Sequence, residues 1–383
     1  MRHYNSVFHD LLKRIPWDVF DRLVSKHGAD YRVRRMSTKD QFVAMLYGQL
    51  SGAASLREIV GGLASHQSRL YHLGARPVQR STLADANARR ASAVFLDLFH
   101  HMAARLHRGL RRKLAETTYL IDSTGIRLSG LGSDWAHFSY KARGAKLHII
   151  HVPDADCPIY AAVTPAKIPD LSQAKTMPIE AGATYVFDLG YYNYDWWAEL
   201  DAAGCRIVTR LKSNATLRDV VELDIPAADR ETILSDRIGL LPARGKRKKN
   251  PFTDAVREVQ VLTDEGRTLR IMCNDLDASA REIADLYKRR WAIELFFRWI
   301  KQTLKIRHCL GNSENAVRIQ IATALIAFLL IRLAHRAQVA VKRPLAFARL
   351  VRANLMHRKR IDRLIGPTSK PRTNQNQMAL ELI

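Results

Sequence analysis

Acidic residues and cysteines are scarce in this chain of 383 residues. Thirty-seven Asp and Glu face 61 Lys and Arg, which leaves a formal net charge of +24 and an isoelectric point near 10.2. A folded protein this basic is built to meet a polyanion. Duplex DNA, with about one charge per 1.7 Å of axis, is the first candidate. Only four cysteines occur, Cys157, Cys205, Cys273 and Cys309, and no two form a C-x-x-C pair. That spacing excludes a zinc ribbon and a disulfide framework, and it fits a reducing cytosol. No apolar signal core is visible in "MRHYNSVFHDLLKRIPW", which has charges scattered through it. The longest apolar run, Ile321 to Ile331, is too short to span a bilayer and reads as a buried helix. Neither export nor membrane insertion is expected.

What is present argues for a folded chain. Its hydrophobic content is 47%, and its length allows two or three domains with a sizeable core. Residues 1–95 read as helical. "TKDQFVAMLYGQLSG" has helical spacing and stops at Gly52, and "SLREIVGGLASH" opens on a capping-box pattern of Ser55 and Glu58. "RSTLADANARR" has Ser81 or Thr82 as its expected N-cap. Arg32, Arg34, Arg35, Arg76, Arg80, Arg89 and Arg90 surround these helices. They suit a helix-turn-helix-like DNA-binding module or an ordinary bundle with basic flanks.

The periodicity changes near Thr117. "TYLIDSTGIRLSG", "KLHIIHV", "PIYAAVTPA", "TYVFDLGYY" and "CRIVTRLK" read as five strands, with a short helix "YDWWAELDAAG" before the last. Three strands in succession, then strand, helix, strand, imply a mixed α/β sheet. Residues 213–278 interrupt this order with a basic loop, "PARGKRKKNP", and a hairpin turning at Asp264 to Gly266. A long helix over 287–305 follows, then a buried helix over 315–339. The tail from Gly366 is polar and expected to be flexible.

The long helix carries its polar residues in a pattern. With Tyr287 at 0°, Arg290, Glu294 and Lys301 fall near 300°, 340° and 320°, a stripe of about 60°. Leu286, Ile293, Phe297, Ile300 and Leu304 fall at roughly 220–280° and form the buried face. A polar stripe beside a core-facing one marks a helix that borders a cleft.

Two more acids stand where strands should be apolar, Asp122 in "YLIDST" and Asp188 in "YVFDLG". A buried strand acid is costly unless it is paired or holds a metal. Two strand carboxylates and one helix carboxylate, Glu294, suit a pair of Mg²⁺ ions about 3.5–4 Å apart, with Mn²⁺ able to substitute. Such a pair performs phosphoryl transfer on nucleic acid: one ion activates a water or a 3′-hydroxyl, the other stabilises the leaving oxygen.

With these residues in view, the chain resembles the bacterial insertion-sequence transposases of the DDE class, in the branch called family four. Its helix signature is Y-x2-R-x3-E-x6-K, and "YKRRWAIELFFRWIK" matches every position. "LIDSTGI" and "YVFDLGYYNYDWW" resemble the segments that carry the family's two aspartates. "YNSVFHDLLKRIP", "SLREIVGGLASHQSRLYHLG" and "RSTLADANARR" resemble the amino-terminal region of one subgroup. The resemblance implies that Asp122, Asp188 and Glu294 are the catalytic metal ligands. It implies that Tyr287, Arg290 and Lys301 contact transposon-end DNA. Glu294 follows Asp188 by 106 residues (294 − 188), and the β-rich insertion this branch carries accounts for the spacing. Lys246, Arg247, Lys248 and Lys249 in its loop are candidate phosphate contacts.

The chain also departs from the family pattern. Leu189 stands where many members have Arg, and no Trp lies between Trp197 and Trp291 to stack on a flipped base, which leaves Phe252 as a weak alternative. His148 and His151 are three apart in a strand, so they face opposite ways and cannot share one metal; they read as packed or surface histidines. "HRKR", from His357 to Arg360, resembles the H-x-x-R element of tyrosine recombinases, but no Tyr follows Tyr287 to act as nucleophile.

The expected architecture is a helical DNA-binding region over 1–95 and a ribonuclease-H-like α/β core over 112–212. A β-rich insertion over 213–278 interrupts that core, which resumes as helices over 279–340. A basic C-terminal region and tail cover 341–383. The expected function is cut-and-paste transposition: binding of terminal inverted repeats, pairing of two ends by a homodimer, Mg²⁺-dependent cleavage and joining to target DNA. The resemblance adds a hairpin intermediate and a cytoplasmic, nucleoid-associated location. The alternatives are a metal-dependent nuclease or resolvase without strand transfer, and a catalytically silent DNA-binding descendant.

Overall fold

A computed structural model describes residues 5–108, 117–128, 133–139, 142–242, 250–304, 306 and 309–364. The amino-terminal part is helical throughout: α1 (Val7–Leu12), α2 (Trp17–Lys26), α3 (Thr38–Ser51), α4 (Leu56–Ala64), α5 (Gln67–Leu70), α6 (Arg80–Arg89) and α7 (Ala93–Arg108). Ser37 and Asp40 close a reciprocal capping box at the start of α3, and Gly52 ends it in the left-handed conformation at φ 77°. Ser55 caps α4 by accepting from the Glu58 amide, while the Glu58 carboxylate accepts from Ala54 N–H, one residue before the expected partner. The α6 helix starts at Arg80 without a side-chain cap, so neither Ser81 nor Thr82 plays that part.

Between Asp40 and Leu50 every residue of α3 is buried. Gln41 within it is paired, donating to Asn87 (2.8 Å) and accepting from Arg90 (3.2 Å). A helix enclosed on all sides cannot enter a DNA groove, so α3 is the centre of a bundle and not a recognition helix. It crosses α4 closely through glycine. A Cβ on Gly48 lies 2.4 Å from Ile59 Cδ1, and Ile59 is fully buried. Gly48→Ala therefore overpacks this crossing and should destabilise by about 1–3 kcal/mol, despite the better helix propensity of Ala. Thermal melts check this, and Ile59→Val should restore part of the loss. A Gly48→Ala protein as stable as the parent sinks this account of the crossing.

The sheet follows. Its strands are β1 (Thr118–Leu128), β2 (His137–Ser139), β3 (Ala142–Val152) and β4 (Cys157–Pro165), then α8 (Asp170–Ala174), β5 (Thr184–Val186), α9 (Tyr194–Ala202) and β6 (Arg206–Arg210). After these come β7 (Arg218–Glu222), β8 (Ile233–Leu240), β9 (Ala255–Leu262) and β10 (Thr268–Cys273). The order is β2-β3-β1-β5-β6-β10-β9-β8-β7, with β4 on β3. The β4-β3-β1 segment is antiparallel, and β5 and β6 run parallel to β1. This is the ribonuclease-H-like arrangement. The β-rich stretch is continuous with it, because β10 pairs antiparallel with β6 and carries β9, β8 and β7 outward. The expected hairpin is present, with Gly266 at φ 75° in its turn.

Four helices complete the fold: α10 (Ala280–Lys288), α11 (Trp291–Thr303), α12 (Glu314–Arg336) and α13 (Pro344–Asn354). Length and apolarity alone would let α12 cross a membrane, but 83% of its most apolar window is buried inside the protein. It packs on α3, α6 and α7, and on α11 through Phe328 against Phe296 and Trp299. It is therefore the shared core helix of the bundle and the sheet layer.

The expected single helix over 287–305 is in fact two. The α10 helix ends at Lys288, and the joint closes with three-residue bonds, Arg290 N–H to Tyr287 O and Ile293 N–H to Arg290 O. Arg289 at this joint reaches the carboxylate of Asp154 and the hydroxyl of Thr118. No Pro or Gly marks the break. Distant partners fix it.

Candidate active site

The strand β1 brings one acid to the middle of the sheet. Its period of two puts Asp122 and Thr124 on one face and Ser123 on the other. The amide of Ser123 donates to Asp122 Oδ1 at 2.7 Å, while the Ser123 hydroxyl donates to Asp170 at 2.7 Å. Lys146 and Asp170 pair at 3.1 Å beside it. Asp188 stands one residue beyond Phe187 at the end of β5 and accepts from Gly190 N–H at 2.8 Å, which starts a tight turn. Glu294 lies in the first turn of α11.

These three carboxylates, from three separate elements, line one open cleft of 430 Å³ together with Thr124, Arg290 and Lys301. The Arg290 guanidinium lies between two of them, 2.5 Å from Glu294 and 3.6 Å from Asp122. Lys301 donates to the Thr124 hydroxyl. Tyr287, on α10, does not line the cleft. It is 8% exposed and packs beside Arg290, whose guanidinium carbon is 5.8 Å from its ring centre. The break at 289–290 takes it out of the helical stripe. Lys246, Arg247, Lys248 and Lys249 lie outside the described residues, as does the tail from Gly366.

Charge in the cleft is out of balance. Burial, and then the nearby carboxylates of Asp188 and Glu294, push the Asp122 carboxyl up to about 7 against the opposing Ser123 hydrogen bond and Arg290 charge. Burial by itself lowers the pKa of Arg290, but Tyr287, Glu294 and Asp122 together raise it above the ordinary arginine range. The donor set, three carboxylates without thiolate or imidazole, fits a hard divalent cation. Among the described residues no three such groups are gathered tightly enough to enclose an ion while Arg290 holds the space between them.

Several neighbours were not picked out from sequence. Thr124 is the partner of Lys301, and the period of two from Asp122 would have found it. Arg298 also lines the cleft. Phe252 is 4% exposed and belongs to the core, so it is not free to stack on a base. His148 and His151 are both fully buried and diverge as expected: His148 bonds Thr164 at 2.8 Å, while the His151 ring packs on Phe296 of α11.

A ribonuclease-H-like sheet with an acidic cleft, in a chain of charge +24, defines a metal-dependent enzyme acting on nucleic acid. The comparisons are narrower. The chain belongs to the family described as the transposase DDE domain, whose model matches residues 113–330. It is a DNA transposase of the bacterial insertion-sequence kind, and membership implies dependence on a divalent metal. A second model, described as a domain of unknown function, matches residues 3–76. A Sinorhizobium fredii protein with a transposase name, y4zB, is 39% identical over 331 residues, spanning 84% of this chain and 90% of its own. A Geobacillus stearothermophilus protein named as a transposase for the insertion sequence element IS5377 is 27% identical, spanning 64% of this chain and 65% of its own. The solved piggyBac transposase synaptic complex with hairpin DNA aligns over 95% of this chain and 81% of its own. Its TM-score of 0.44 and identity of 12% carry no argument.

Proposed function

We propose that this transposase moves its insertion sequence by cut-and-paste, with Asp122, Asp188 and Glu294 as ligands of two Mg²⁺ ions, for which Mn²⁺ can substitute. The observation that supports this most is the convergence of the three carboxylates on one cleft whose other lining groups include Arg290, Arg298 and Lys301. When bound, the cations activate a water or a DNA 3′-hydroxyl and stabilise the leaving oxygen. Everything else falls to the chain. Arg290 offsets part of the charge of Asp122 and Glu294 before substrate enters the cleft, then turns its guanidinium to a DNA phosphate. Tyr287 backs that guanidinium. Lys301, steered by Thr124, holds the backbone near the cleaved end. The loop of Lys246, Arg247, Lys248 and Lys249 adds phosphate contacts. Two copies of the chain pair two terminal inverted repeats as a homodimer, a hairpin forms at each freed end, and the reopened ends join target DNA in the cytoplasmic nucleoid.

The test uses DNA that contains this gene with both native flanks, incubated with full-length protein and MgCl₂ beside Glu294→Gln. Paired cuts at inverted repeats, lost at least about 10³-fold in the variant, are expected. Joined products with a target plasmid separate transposition from nuclease action alone. Equal cutting by Glu294→Gln overturns the assignment of the cleft. Tight DNA binding without cuts by either protein identifies a silent descendant.

A further inference from the structure

A second concave site lies where the two ends of the described chain meet. The amides of Phe8 and Val7 donate to the carbonyls of Leu355 (2.8 Å) and His357 (3.2 Å). Ile361 N–H donates to the Asp10 carboxylate at 3.4 Å, and Arg69 donates to the Met356 carbonyl. These bonds fix the backbone of 355–361 on α1 and beside α5. They thereby fix where the exposed His357, Arg358 and Lys359 stand. The basic run that sequence alone left without a role is held on a frame.

A cleft of 440 Å³ opens beside it. The cations that line it are Arg69, Arg352 and Arg358, with the ionisable His66 and His357 beside them, and no carboxylate lines it. The nearest acids on the segment are engaged: Asp362 by Arg360 at 2.7 Å, and Asp10 by Lys13 at 3.6 Å. His66 feels this crowding, since burial and then the charges of Arg69 and His357 lower its pKa. Uncompensated like charges in one concavity repel, and a bound anion removes that cost.

Arg352 ties this cleft to the acidic one. Its guanidinium donates to Leu50 O at the end of α3 and to Thr303 O at the end of α11. Nine residues of α11 separate Glu294 from Thr303, about 14 Å of helix. A duplex covers that distance in about four base pairs. Arg298 and Lys301, on the same helix, line the acidic cleft. Cationic groups therefore flank α11 from one cleft to the other.

From this placement we infer that the cleft framed by His66, Arg69, Arg352, His357 and Arg358 is a second DNA site, which grips the phosphate backbone of the same duplex whose reacting bond lies in the acidic cleft. The inference rests on the reading that this chain binds DNA in that cleft, and the experiment separates the two.

Full-length protein is titrated with a fluorescent linear DNA duplex over a series of NaCl concentrations, without divalent metal. Arg358→Ala changes an exposed side chain, so its melting temperature should match the parent. Its affinity should fall about 5–10-fold at 0.1 M salt, with the slope of log K against log salt reduced by about 0.9. Arg358→Lys should restore both. Arg69→Ala should act likewise, but it also loses the Met356 contact, so Arg358 is the decisive position. Combination with Lys301→Ala should reduce the slope further while one duplex still binds per chain. An unchanged slope in Arg358→Ala overturns the proposal, as does a stoichiometry of two duplexes. So does stabilisation of the parent by inorganic phosphate, lost in Arg358→Ala with duplex affinity intact, because the site then takes a small anion only. Weakened binding of an RNA duplex with DNA binding unaffected also overturns it. If the parent binds no duplex at all, the DNA reading of the acidic cleft fails with it.

Discussion

Asp122→Asn is expected to make the protein more stable at pH 8 and to abolish its DNA cleavage. Burial first, and then Asp188 and Glu294, hold the Asp122 carboxyl at about 7 in the folded chain, against an ordinary 3.8. A folded pKa above the unfolded one means that the folded state binds this proton more tightly. The contribution of this group to stability is complete below about pH 4 and is lost as pH rises through 7. Three units correspond to about 4 kcal/mol as an upper bound, and the open cleft reduces this to about 1–2 kcal/mol in practice. Asn keeps the shape and removes the charge, so its advantage over Asp should grow from pH 4 to pH 8 in thermal melts without divalent metal. Mg²⁺ should stabilise the parent at pH 8 and leave Asp122→Asn unmoved, a readout independent of turnover. Cleavage should fall at least about 10³-fold. A variant no more stable than the parent at pH 8 would show that Arg290 already balances the cleft.

That conflict between stability and activity is legible in the sequence, since an acid in an apolar strand asks for a reason. Asp122 and Asp188 stood out because each broke an apolar strand, and Glu294 because it fell on the polar stripe of a helix bordering a cleft. Thr124 did not stand out, although the same strand period carries it to the same face. The joint at Arg289–Arg290 was unreadable for a different cause. Its sequence favours an uninterrupted helix, and the break is held by Asp154 and Thr118, 135 and 171 residues away. Tyr287 was placed on the wrong helix as a result. The burial of α3 was hidden too, because Gln41 and Gln49 give it a polar look, and only the pairing of Gln41 with Asn87 and Arg90 shows how one of them is buried. The hairpin of β9 and β10 was visible in the sequence, but which sheet it joins is decided by β10 meeting β6, a pairing between segments about 60 residues apart. Local pattern showed what each piece is, and long-range contacts decided where it goes.

The same long-range logic makes Asp236→Ala the largest expected loss of stability. Asp236 on β8 is 1% exposed and takes two bonds from Arg257 on β9, at 2.8 and 2.6 Å. Arg257 gives its Nη1 donors to the carbonyls of Leu276 (2.9 Å) and Ala278. Those two carbonyls lie just before Ser279, the N-cap of α10. One buried pair thus anchors the β-rich strands to the start of the helix that leads to Tyr287 and Arg290. Removing the carboxylate strands a buried guanidinium, which costs about 3–5 kcal/mol. Replacing both partners, Asp236→Leu with Arg257→Met, leaves no charge unpaired and should recover most of that in chemical denaturation. The double variant still lacks the bonds to Leu276 and Ala278, so α10 loses its anchor although the core is repaired. Hydrogen exchange should then report faster opening at Ala280–Lys288, with cleavage reduced about 10-fold or more by mispositioning of Arg290. A double variant with parental exchange in α10 and parental cleavage would show that the pair serves stability alone.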